Sequence, residues 1–174
     1  PYHETTRTPA FLSRLMTSLA KQTFQDYEVV LTKEGKMGEN HNAAAIKAQG
    51  ELIHFMGMDD YFAHPDALKN IVESMEDSAK SWGICGCLHY DGQTEGYPHQ
   101  PVWNDHIWDG TNTLGNISTL TVRRDAALFF DMGLDWMIDV DYYWRMYQKY
   151  GLPVLLDDYA VVVHWHPGQT TNQL

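Results

Sequence analysis

An α/β domain, with a mostly parallel sheet flanked by helices, is the fold this sequence predicts. Three observations lead there. Through the first 75 positions, apolar residues alternate between helical and strand spacing across short polar connections, the pattern of strand–helix–strand units in a parallel sheet. At 174 residues and 44% hydrophobic content, the chain can bury one sizeable core and reads as a single domain, 1–174. It contains no run of eighteen apolar residues, so no membrane-spanning helix is expected.

The elements follow in order. Pro1-Tyr2-His3-Glu4 reads as the exit of a strand. Phe11, Leu12, Leu15, Met16 and Leu19 lie on one helical face over Thr8–Gln22, started by Thr8 and by Pro9 at the first helical position. Tyr27–Leu31 predicts a strand, 33–40 a polar loop, Asn42–Gln49 an Ala-rich helix stopped by Gly50, and Leu52–Met56 a buried strand. Pro65–Met75 predicts a helix with Leu68, Ile71, Val72 and Met75 inward. Beyond Trp82 the spacing predicts strands at Ile84–Tyr90 and Ile117–Arg123, separated by a long irregular stretch from Asp91 to Asn116 that suits a binding loop. A short helix over Arg124–Asp131, an amphipathic helix over Val140–Tyr150 ended by Gly151, and strands at Pro153–Leu156 and Tyr159–Trp165 complete the chain.

The net charge of −11 argues against nucleic acid or an anionic membrane as partner. Cys85 and Cys87 sit two apart on a predicted strand. They point to one face and pair poorly as a disulfide, which fits reduced thiols and a cytoplasmic setting. Nothing in these residues reads as a signal peptide. Asn116-Ile117-Ser118 matches a glycosylation acceptor, a coincidence in that setting.

The richest signal is the apolar run Leu52–Met56 ending near Asp59-Asp60. Adjacent carboxylates repel and are costly to desolvate. A hard divalent cation, Mg²⁺ or Mn²⁺, offsets that cost, and such ions take carboxylate and phosphate oxygens. Ligands of open α/β sheets bind beyond the carboxyl ends of strands. The alternative reading is a plain Asp-rich turn.

Four stretches together resemble the nucleotide-sugar-dependent glycosyltransferases of the GT-A fold, especially family 2. They are Pro1–Glu4; Leu19 to Val30 with Gln22-Thr23-Phe24; Ala48 through Asp59-Asp60 to Pro65-Asp66-Ala67-Leu68; and Asp139-Val140-Asp141-Tyr142-Tyr143-Trp144-Arg145 with Gly151. The adjacent aspartates are most like the bacterial spore-coat type. The resemblance implies a Rossmann-like single domain, 1–80 binding nucleotide and 81–174 binding acceptor. It also implies that the family's first strand lies before residue 1.

By the resemblance, Asp60 binds Mn²⁺ or Mg²⁺, and Asp59 faces the ribose or supports the metal. Asp139, six residues before Arg145, is the inverting base, with Ile138 where the family usually has Glu. Asp141 is the fallback base and an acceptor-side candidate. Pro1, Tyr2, Glu4, Glu34 and Asn42 fall at nucleotide-contacting positions. Lys33 stands where an acceptor carboxylate is usual, and Lys cannot accept hydrogen bonds. His164 and His166 share one strand face, and either is a candidate further metal ligand or part of a strand-end pair. Trp103 and Trp108, in the long loop, suit a sugar acceptor or simple loop packing. The implied reaction moves a sugar from a nucleotide diphosphate, UDP first, to a glycan or other hydroxyl. A nucleotidyltransferase and a non-catalytic nucleotide- or sugar-binding module are the rivals. The former expects a Gly-rich phosphate loop that is not seen near the first strand.

Overall fold

In the computed structural model, which describes residues 8–169, α1 (Thr8–Ala20) buries Phe11, Leu15 and Leu19 at intervals of four, the spacing of one helix face. Pro1, Tyr2 and Glu4 lie outside the described residues. Just past α1, Gln22 is buried. Its side-chain amide donates to His64 O (2.9 Å) and accepts from Leu68 N (2.8 Å). Thr23 adds a bond to Asp66 Oδ1 (2.7 Å). The Gln22-Thr23-Phe24 stretch therefore ties the end of one helix to the start of another.

The remaining helices are α2 (Met37–Lys47), α3 (Ala67–Ser78) and α4 (Ile138–Tyr150). The strands are β1 (Leu52–His54), β2 (Tyr61–Phe62), β3 (Trp82–Tyr90), β4 (Glu95–His99), β5 (Leu120–Arg123) and β6 (Val154–His164). They form one sheet in the order β1-β5-β3-β6-β2, with β4 also paired to β3.

The sheet is mixed, which corrects the expectation of a mostly parallel one. Among the described residues only β3 and β6 pair in parallel, and the other ladders are antiparallel. Apolar runs report how deeply a strand is buried, not the direction of its neighbour. The ladders nevertheless leave β1, β3 and β6 running the same way. Their carboxyl ends share one edge, and that edge carries the site.

One face of the sheet packs Trp82, Ile84, Leu120 and Val122 against Tyr142, Tyr143 and Met146 of α4. The other packs Cys85, Cys87, Val161 and Val163 against Leu15 and Leu19 of α1 and Leu68 and Ile71 of α3. Helix α3 approaches β3 so closely that a Cβ on Gly83 would lie 2.8 Å from Met75 Sδ and 2.6 Å from Val154 Cγ1. Both cysteines are free and buried.

Other boundaries also move. Tyr27–Leu31 pairs with no strand among the described residues, leaving Val29 and Leu31 exposed. Its alternation is present, but a strand needs a partner as well as a pattern. The two predicted C-terminal strands are one strand, β6, whose register against β3 shifts on either side of Gly86. The long loop contains β4 and a 3₁₀ turn at Ile107–Asp109. Arg124–Ala126 is only a 3₁₀ turn, and Ile117–Thr119 precedes β5 as another.

Candidate active site

The carboxyl edge of β1, β3 and β6 opens into a cleft of about 1140 Å³ lined by Asp59, Asp60, Asn112, Asn116, Asp139 and His166, among others. Asp59 and Asp139, 80 residues apart in the sequence, thus face one space.

Asp60 closes a turn in which its N–H reaches Gly57 O (3.3 Å). The turn reading and the site reading are therefore both satisfied by the same residues. The Asp60 carboxylate is buried and held on three sides. Oδ2 accepts from Ser118 Oγ (2.5 Å) and Asn116 Nδ2 (3.1 Å), while Oδ1 accepts from the His164 backbone N–H (2.9 Å). Burial, and next the charge of Asp59, push its pKa up to about 7 despite those donors. A carboxylate offers about four acceptor sites, so one remains for a further partner.

Asp59 is fixed by His166 directly and is linked to His164 through Arg14. His166 Nδ1 accepts from Gly168 N (3.1 Å), so Nε2 carries the hydrogen and donates to Asp59 Oδ2 (2.9 Å). His164 Nδ1 lies 3.0 Å from Arg14 Nη2, which also donates to Asp59 O. Arginine only donates, so this nitrogen of His164 is an acceptor. The Arg14 guanidinium sits 4.5 Å from the Tyr61 ring centre. Among the described residues, no three His, Cys, Asp or Glu side chains form a metal cage. Asp60, His164 and His166 thus do not converge on one point, and the histidines orient the acidic turn.

Asp139 is the second residue of α4, preceded by Met137 at φ +57°, a strained conformation for a side-chain-bearing residue. Its Oδ2 accepts from Asn112 Nδ2 (3.1 Å) and its Oδ1 from Val140 N (2.9 Å). Protein around the carboxyl desolvates it and raises its pKa to about 6. Asn112 is itself locked, its Oδ1 accepting from Leu114 N (3.0 Å) and Gly115 N (3.2 Å). Tyr143 Oη, from α4, donates to Asn116 O (3.0 Å). The segment 112–119 therefore holds both carboxylates, Asp139 through Asn112 and Asp60 through Asn116 and Ser118. Ile138, where the resemblance expects Glu, is buried in the core beneath.

The other predicted site residues sit elsewhere. The Asn42 side chain is spent on the Phe130 backbone (2.7 and 2.9 Å). Glu34 pairs with Lys47 at 2.8 Å on the surface, and that hydrogen bond lowers its pKa. Asp141 pairs with Arg145. Trp103 packs 4.5 Å from Tyr147, and Trp108 stands exposed on the 3₁₀ turn. None of these five lines the cleft. Sequence reasoning missed Arg14, Asn112, Asn116 and Ser118. Only the Asn116-Ile117-Ser118 tripeptide gave a signal, and it pointed to glycosylation, whereas both its polar side chains bond Asp60.

No protein-family profile matches the sequence, and no curated protein does. Solved structures do match in fold. S. aureus TarS residues 1–349 superposes with a TM-score of 0.70 at 19% identity, covering 92% of this chain and 58% of that one. The same TarS fragment in complex with UDP gives 0.70 at 19% identity, covering 94% and 59%. In complex with UDP-GlcNAc it gives 0.74 at 18% identity, covering 98% and 59%. The chain thus spans less than two thirds of that fragment, and the likeness is one of fold. Among the described residues, no helix is long and apolar enough to cross a membrane.

Proposed function

We propose that this chain transfers a sugar from a nucleoside diphosphate to an acceptor hydroxyl, with Asp139 as general base. The observation that carries the reading is the convergence of the Asp59-Asp60 turn and Asp139 on one cleft. The fold's likeness to TarS, which is known in complex with UDP and UDP-GlcNAc, supports it and makes UDP the first nucleotide to expect.

The chemistry follows from the carboxyls. The acceptor oxygen forms a bond to the anomeric carbon as the bond to the diphosphate oxygen breaks. The acceptor's proton passes to Asp139, and the nucleoside diphosphate leaves. In-line attack of this kind inverts the anomeric centre. A carboxylate raised to about 6 is a stronger base than an ordinary aspartate yet is mostly ionised at neutral pH, the compromise general-base catalysis favours. Asn112 holds that carboxylate toward the cleft.

A divalent cation, Mn²⁺ or Mg²⁺, fits the donor set. Asp60 has an acceptor site left, Asp59 stands beside it, and no Lys or Arg among the described residues lines the cleft to meet a diphosphate. Such ions use one or two carboxylates plus substrate phosphates rather than a full protein cage. Bound there, the cation would neutralise charge developing on the leaving diphosphate.

Calorimetric titration of UDP, GDP and dTDP, with and without Mn²⁺, on the wild type and Asp60→Ala tests the reading. Binding of one nucleotide that requires both Mn²⁺ and Asp60 is expected. A folded protein that binds none of them overturns it.

A further inference from the structure

The cleft has an aromatic side that sugar-donor chemistry leaves unused. Trp136, in the turn before α4, and Trp165, just past β6, both line it with 55% and 41% of their surface exposed. Exposed indole is costly in water, and Trp165 is firmly mounted. Trp165 N donates to Tyr90 O (2.8 Å), and its ring lies 4.4 Å from His89, with Tyr97 edge-on at 5.7 Å. Trp136 sits between Asp135, paired with Lys36 at 2.8 Å, and Met137 with its positive φ. Two aromatic planes thus open onto the space that contains Asp139.

Charge narrows what those planes can take. Asp59, Asp60, Asp135 and Asp139 all line the cleft. Among the described residues, only Asp135 of these is paired with a Lys or Arg. Among the described residues no Lys or Arg lines the cleft to meet a polyanionic acceptor, and any cation at the acidic turn is committed to the donor's diphosphate. A neutral sugar ring meets the opposite situation. Its C–H face suits an indole plane, and its hydroxyls suit Asn116 and Gln169, which also line the cleft. Trp103, Trp108 and Asp141 lie outside it.

Resting on the transferase reading, we propose that the acceptor is a neutral saccharide gripped by Trp136 and Trp165, with one hydroxyl presented to Asp139, and that anionic glycans are rejected. The test is tryptophan fluorescence and calorimetry on the chain loaded with UDP and Mn²⁺. The probes are cellotriose, maltotriose and tri-N-acetylchitotriose against a galacturonate trisaccharide. At least one neutral trisaccharide should bind more tightly than the acidic one. Trp136→Ala and Trp165→Ala should each weaken it about tenfold, from lost aromatic contact. Trp165→Phe, which keeps a ring, should recover most of the affinity, and Phe129→Ala, an exposed ring outside the cleft, should change nothing. Tighter binding of the galacturonate, or equal affinity in the two Ala variants, overturns the proposal. So does UDP binding without binding of any neutral saccharide, which leaves the donor site standing. Failure to bind UDP removes the transferase reading and this proposal with it.

Discussion

Asp60 and Asp139 face the same cleft but are held very differently. Asp60 is buried in a turn, with donors from a hydroxyl, a side-chain amide and a backbone amide closing on both oxygens. Asp139 stands at a helix start with one side-chain donor, Asn112, and the amide of its own neighbour. The difference suits the two proposed tasks. A group that holds a cation gains from fixed geometry, whereas a group that takes up a proton must remain able to change charge. In both, burial pushes the carboxyl upward, but only at Asp60 does a neighbouring carboxylate add to it.

The sharpest way to break this contrast is Asp139→Asn, which keeps the shape and removes the proposed base. Transfer should fall by about 10²–10⁴-fold, while UDP affinity measured by calorimetry stays within about twofold. A variant retaining more than a tenth of the wild-type rate would remove Asp139 from the base role.

A smaller effect should come from the acidic turn's support. Arg14→Ala removes the donor to Asp59 O and His164 Nδ1, and urea unfolding should show a loss of about 2 kcal/mol, typical of hydrogen bonds from a charged group. Arg14→Lys should recover only part of it, because an ammonium cannot reproduce the planar donor fork. Unchanged stability in Arg14→Ala would show that the turn stands without α1.

The pH dependence sharpens the Asp139 side. A carboxylate in the proposed base role must be ionised, so kcat/KM should rise through an apparent pKa near 6. The Asn112 bond favours the charged form, so Asn112→Ala should move that limb to higher pH. Stability has the opposite sign. The native state binds this proton more tightly than the unfolded chain does. The stabilisation is therefore full below about pH 4, and it is lost as pH rises through about 6. Asp139→Asn should flatten the decline between those values in urea titrations. A limb left in place by Asn112→Ala would show that burial alone sets the base.

The smallest effect is expected at Glu34. Its pair with Lys47 is exposed, and surface pairs contribute about 0–1 kcal/mol. Glu34→Gln should leave UDP affinity within about twofold. A tenfold loss would return Glu34 to the nucleotide site.

Much of the fold was legible because local rules governed it. The face of α1, the inward row of α3, the Gly151 stop and the burial of β3 follow from spacing and composition. The acidic turn and Asp139 were legible because carboxylates at a strand end and a helix start are chemically conspicuous. Asn112, Asn116, Ser118 and Arg14 were not, since amides, hydroxyls and an arginine at those positions look like ordinary loop and helix residues until their partners are known.

The sequence by itself therefore determined the α/β class, the helix faces and which carboxylates stand at element ends. Tertiary structure decided strand direction, the single β6, the pairing of Asp60 with residues 56 and 58 positions away, and the placement of Trp136 and Trp165 in the cleft. The physical reason is range. Spacing records how a residue meets its own element, whereas strand direction, hydrogen-bond partners and pocket walls depend on segments that meet only when the chain closes on itself.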